Sequence, residues 1–219
     1  MLTPCQYVLE DNMIKGTPEL IKDRREEIIN ACEKLYKTMS FKEITLKDIG
    51  NVVPFSRPTI YNYFKTKEEI FLSLFKREYD RWNEALSEIL YAEDTFDKSE
   101  LSKRIALSIS DRTQLLKLLS MNNYDMEANS REEILYSFKI SYGKSLELME
   151  KILNRHISKM SKEDTKKFLY AFFPFMFGIY PYTSVTKKQK NAMEKAGIPY
   201  VYQSVYDLTY NCLIKLLET

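Results

Sequence analysis

A chain of 219 residues is long enough for one large domain or a small one fused to a larger, and it can bury a real core. With 44% apolar and 29% charged residues and only five glycines, it has the composition of a soluble globular protein rich in helix, which excludes a disordered chain and a collagen-like fibre. The formal net charge of +2 is too small to mark the whole chain as a polyanion binder, so a case for nucleic acid must rest on where charge is concentrated.

The opening MLTPCQYVLEDNM lacks a basic segment followed by an apolar run, so no signal peptide is expected. Cys5, Cys32 and Cys212 are odd in number, far apart and without metal-ligand spacing, which fits a reducing cytoplasm. A first helix is expected from Thr17, with Pro18 in its first turn and apolar positions at Ile21, Ile28, Cys32, Leu35 and Met39. Thr45-x-x-Asp48, Thr66-x-x-Glu69, Ser130-x-x-Glu133 and Ser161-x-x-Asp164 carry the hydroxyl-then-acid spacing that satisfies free amides at a helix start.

Between Thr45 and Phe64 the chain reads TLKDIGNVVPFSRPTIYNYF. A short helix capped by Thr45 and ending near Val52, a turn through Val53, Pro54 and Phe55, and a second short helix capped by Ser56 together predict a helix-turn-helix. At 100° per residue, Ile60 and Phe64 fall side by side toward a core with Ile49 and Leu35. Pro58, Thr59 and Asn62 point away, with Arg57, Tyr61 and Tyr63 on the flanks. Tyrosine hydroxyls and lysines reach phosphates, arginine can bond guanine and asparagine adenine. From Lys34 to Lys67 there are seven cations against two acids, a local net charge of +5.

The run from Ile49 to Phe64, continued by Lys67, Glu68, Glu69 and Ile70, resembles the DNA-binding motif of the TetR family of bacterial transcriptional regulators. That family commonly reads I-A-x-x-A-G-V-S-x-x-T-L-Y-x-H/Y-F-x-x-K-E-x-L. Ile49, Ser56, Thr59, Ile60, Tyr61, Tyr63, Phe64, Lys67, Glu68 and Ile70 stand in register. Gly50 replaces an alanine, and Val53-Pro54-Phe55 replaces Ala-Gly-Val, so the left-handed glycine of the usual turn is missing. The resemblance implies DNA contacts at Lys47, Ser56, Arg57, Pro58, Thr59, Tyr61, Asn62 and Tyr63, and a phosphate contact at Lys67. It also implies an all-α body that pairs two-fold and often encloses an inducer, with a near-palindromic operator as target.

After Lys67, apolar residues recur at Phe71, Leu74, Phe75, Trp82, Leu86 and Ile89, and further helical runs cover 101–109, 115–121, 134–153, 168–179 and 201–217. The expected fold is all-α, about nine or ten helices, with a DNA-binding domain over 15–67 and a regulatory and dimerisation domain over 68–219. Glu127 and Asn129 are candidates for a polar ligand contact, although a loop preparing the Ser130 cap explains them as well. The stretch FLYAFFPFMFGIYPY is shorter than the roughly 20 residues a bilayer span needs and is interrupted by Pro174 and Pro181. Its near-continuous apolar surface calls for burial on several sides, with Phe172 and Met176 as pocket candidates and Phe173 and Phe177 as interface candidates. Val205, Leu208, Cys212, Leu213 and Leu216 of the last helix complete the expected dimer interface.

The single histidine, His156, lies on a polar helix end and reads as a solvated or helix-capping residue. With no Gly-rich phosphate loop, nucleophile elbow or metal cluster beside it, neither an enzyme nor a cofactor is expected. The reading is a homodimeric regulator, a repressor, that leaves its operator when a small apolar ligand binds. The alternatives are a DNA-binding protein of the same fold without an inducer, and a helical carrier of apolar ligands.

Overall fold

The computed structural model describes residues 16–121 and 123–218. These form eleven helices, with no strand among the described residues: α1 (Pro18–Tyr36), α2 (Leu46–Gly50), α3 (Arg57–Tyr63), α4 (Lys67–Leu90), α5 (Lys98–Ser110), α6 (Thr113–Leu119), α7 (Asn123–Ala128), α8 (Glu132–His156), α9 (Lys162–Thr183), α10 (Lys187–Lys195) and α11 (Val205–Leu217). The all-α expectation holds. The count exceeds the expected nine or ten because α7 and α10 are short, and α10 buries none of its residues, so no apolar stripe announces it.

Local chemistry places most helix starts. Thr45 and Asp48 form a reciprocal capping box at α2, and the hydroxyls of Thr17, Thr66 and Ser161 accept the amides of Leu20, Glu69 and Asp164. Two expected caps are corrected. Ser56 precedes α3 but its hydroxyl pairs with the Thr59 hydroxyl at 3.0 Å and caps no amide. Ser130 donates to the Met126 carbonyl, finishing the helix behind it, and α8 starts at Glu132.

The chain divides into two units. One runs to Arg77 and takes in Asn122–Ile140; the other comprises Glu78–Met121 and Ser141–Thr219. In the first, Ile28, Cys32, Ile44, Ile49, Ile60, Phe64, Ile70 and Phe71 are fully buried, and Phe71 stands edge-on to both Tyr36 and Phe41. Each such aliphatic or aromatic side chain contributes roughly 1.5–3 kcal/mol by leaving water. Arg77 of α4 binds α1, reaching Glu26, Asn30 and Glu33.

The second unit is built around Trp82, whose indole N–H donates to Ser108 and whose ring lies 5.9 Å from that of Phe173. Helix α9 passes through Pro174 and Pro181 without interruption. It buries Phe168, Phe172, Phe173, Met176 and Ile179 but exposes Tyr170, Phe177 and Tyr182, so one stripe and not the whole surface is covered within the chain. His156 is also corrected: it is buried, stacked on Phe96 at 4.7 Å. The Phe96 amide donates to Nδ1, which leaves Nε2–H to donate to the Ile89 carbonyl and selects the neutral ring. Burial accordingly lowers its pKa.

Candidate nucleic-acid interface

The first short helix closes two residues earlier than expected, at Gly50, although the Val52 and Val53 amides still donate to the Ile49 carbonyl. The connection to α3 is therefore 51–56. Among the described residues Lys159 is the one non-glycine with positive φ, so the turn through Pro54 contains no left-handed residue. A proline is thus compatible with this path, which reaches α3 without the usual glycine conformation. A Cβ on Gly50 would meet the Arg57 Cβ at 3.4 Å and the Ile60 Cδ1 at 3.6 Å, which shows how closely α2 and α3 approach.

Ile60 and Phe64 are wholly buried, as the helical wheel predicts, and Arg25 lies 5.1 Å from the Phe64 ring centre. This packing turns the opposite side of α3 outward. Lys47, Ser56, Arg57, Pro58, Tyr61 and Asn62 are exposed, and Thr59 is half-buried. Arg57 Nη2 donates to the Tyr61 hydroxyl at 3.3 Å, with the guanidinium 5.9 Å from the ring centre. That arrangement presents a planar donor fork beside a phenol.

Two residues expected at DNA sit differently. Tyr63 is 5% exposed and belongs to the core side of α3. Lys67 is half-buried, and its ammonium donates to the carbonyls of Phe41 and Ile44. Lys65, which is not among the expected contacts, is exposed, and its ammonium donates to the Tyr61 carbonyl at 3.0 Å. Its position at the helix end, where free carbonyls gather, was the available signal. The Asp48 carboxyl lies below the usual carboxylate range because the Thr45 hydroxyl and then the Thr45 amide hydrogen-bond to it. As an anion it accepts from the Thr45 amide and hydroxyl and closes the cap at the start of α2.

The ligand candidates are divided between the two units. Glu127 and Asn129 lie in the first unit, where Glu127 pairs with Lys139 at 2.6 Å and the Asn129 side chain donates to the Asp125 carbonyl. Phe172 and Met176 are buried in the second. A pocket of about 110 Å³ in that unit is lined by Lys98, Met160, Asp164, Leu216 and neighbours, and includes none of the four. Of the interface candidates, Phe173 and Leu213 are core residues, at 4% and 0% exposure, while Val205, Leu208, Cys212 and Leu216 are half-buried and Phe177 is exposed. Cys32 is buried, and burial raises its pKa and, less completely, that of Cys212; Cys5 lies outside the described residues. Among the described residues no group of His, Cys, Asp and Glu is placed to hold a metal, and no helix is long and apolar enough to cross a membrane.

A helix-turn-helix with a buried apolar edge and an outward row of arginine, tyrosine and asparagine, accompanied among the described residues by helices and no strand, is the architecture of a DNA-binding transcriptional regulator. Comparison with known families agrees. Residues 28–74 match the model of bacterial regulatory proteins of the tetR family, and residues 76–204 match the tetracyclin repressor-like C-terminal domain. The chain belongs to the TetR family of transcriptional regulators.

Among curated relatives, it is 40% identical over 52 residues to the HTH-type transcriptional regulator EthR of Mycolicibacterium smegmatis, covering 24% of each chain. It is 30% identical over 90 residues to the fatty acid metabolism regulator protein of Bacillus subtilis, covering 41% of this chain and 44% of that one. The chain thus spans less than half the length of either relative. Its fold is similar to a TetR/AcrR-family regulator from Thermobifida fusca, with a TM-score of 0.58, 17% identity, and 89% of this chain and 97% of that one covered. It is also similar to the fatty acid degradation regulator FadR from Bacillus halodurans, with a TM-score of 0.55, 15% identity, and 93% and 97% covered.

Proposed function

We propose that the chain is a cytoplasmic repressor that binds a near-palindromic operator as a homodimer and is released by a small, largely apolar ligand. The observation that carries the DNA contact is the outward face of α3, where Arg57, Tyr61 and Asn62 stand exposed while Ile60 and Phe64 are buried. Arg57 and Asn62 read base edges in the major groove, and Lys47, Ser56, Tyr61 and Lys65 bind phosphates on either side. Two-fold pairing through α9 and α11, with Phe177, Val205, Leu208, Cys212 and Leu216 as its apolar contacts, sets two reading helices roughly 34–36 Å apart or more.

The apolar character of the ligand is supported by the aromatic stripe of α9 and by the likeness to two proteins named for fatty acids, the fatty acid metabolism regulator protein of Bacillus subtilis and the fatty acid degradation regulator FadR of Bacillus halodurans. A ligand acts only to the extent that it binds the released conformation more tightly than the DNA-bound one. The test is a titration of saturated and unsaturated fatty acids of graded length into the complex with selected DNA. Release of DNA together with a raised melting temperature supports induction, and DNA binding that ignores the whole series leaves a regulator without this class of inducer.

A further inference from the structure

The exit of α3 is tied to a segment far along the chain. Glu69, whose side chain is 1% exposed, has both carboxylate oxygens occupied. Its Oε1 accepts from the amide and Nε of Arg131 at 3.2 and 2.7 Å; its Oε2 accepts from the Lys65 amide at 2.7 Å and from Arg131 Nη2 at 3.0 Å. The same Nη2 donates to the Tyr63 carbonyl at 3.2 Å, satisfying one of the free carbonyls at the end of α3. Next to it the Thr66 hydroxyl donates to the Asn129 carbonyl at 2.9 Å. All of these groups lie in one unit.

A helix of seven residues has little stability of its own, so its direction is set by what holds its sides and ends. Ile60 and Phe64 hold the side. The end is held by a buried carboxylate and a guanidinium more than sixty positions apart, and the fork geometry of the guanidinium fixes direction as well as distance.

We propose that Arg131 and Glu69 are positioning residues for DNA reading: without touching DNA, their bidentate pair fixes the exit of α3 and so the direction in which Arg57 and Asn62 face the bases. The proposal rests on α3 being the reading helix.

The experiment uses the full chain and the duplex enriched by the wild type from random DNA. Affinity for that duplex and for an unrelated one is measured across a salt series for Arg131→Gln, Glu69→Gln and the double variant, all below their melting transitions. Each single change is expected to weaken specific binding roughly 2- to 30-fold. The double variant should lose no more than the worse single one, and unrelated DNA and the slope of log affinity against log salt should be unchanged. A slope reduced by about one for Arg131→Gln would make it a phosphate contact and overturn the proposal. So would full specific affinity in a folded variant, or losses that add. If Arg131→Gln does not fold, Arg131→Lys keeps the charge without the fork, and wild-type affinity there overturns the proposal equally. A wild type that enriches no sequence removes the DNA-reading premise and this inference together; a wild type that binds, with Arg131→Gln binding as well, removes this inference alone.

Discussion

The ammonium of Lys67 donates to the carbonyls of Phe41 and Ile44 at 2.8 and 3.1 Å and lies 4.2 Å from the centre of the Phe41 ring. The cation at the start of α4 thus closes the 41–44 turn ahead of α2. Lys67→Met keeps the stem and removes both bonds, and it should lower stability by about 1–2 kcal/mol, read from the denaturant midpoint. If DNA affinity fell while the midpoint stayed put, the ammonium would belong to the phosphates instead.

Arg57 is exposed, with the Tyr61 hydroxyl as a local partner. Arg57→Ala should relax preference at one base pair per half-site by roughly 1–3 kcal/mol, measured by competition among single-base variants of the selected duplex. A loss shared equally by all sequences would reassign it to the backbone.

Which of these features the sequence disclosed follows from how local their causes are. The α2 cap, the burial of Ile60 and Phe64 and the outward position of Arg57 and Asn62 depend on neighbours within one or two turns, and spacing alone reveals them. Tyr63 resembles Tyr61 in sequence, yet it is buried because the core reaches round the end of α3. The Glu69–Arg131 pair was illegible because its partners are 62 positions apart, and Glu69 reads as an ordinary first-turn acid. His156 looked solvated because Asn154 and Arg155 flank it; Phe96 and Ile89, which enclose it, come from elsewhere in the chain.

His156 makes stability depend on pH. Its folded pKa is lowered first by burial, so as pH falls through the ordinary value of 6.5 the unfolded chain takes up a proton that the folded one refuses. Stability is therefore full above 6.5 and is lost below it. Urea midpoints measured on either side of this value should fall toward acid in the wild type and show a flatter profile in His156→Gln. Parallel profiles would place the pH dependence in other groups.

Leu208 and Leu213 separate interface from core. Leu208→Glu, at a half-buried site, should give a folded monomer in sedimentation with operator binding lost. Leu213→Glu, at a fully buried site, should unfold the second unit, because an unpaired carboxylate there costs several kcal/mol. A Leu208→Glu protein that stayed dimeric would remove α11 from the proposed interface.

The most direct test of the account is selection of bound sequences from random duplex DNA by the full chain, repeated with Arg57→Ala and Asn62→Ala. The expected result is one enriched, near-palindromic site whose half-site preference changes with each substitution at distinct base positions. Absence of enrichment, or an enriched site identical for all three proteins, would contradict the claim that the outward face of α3 reads DNA.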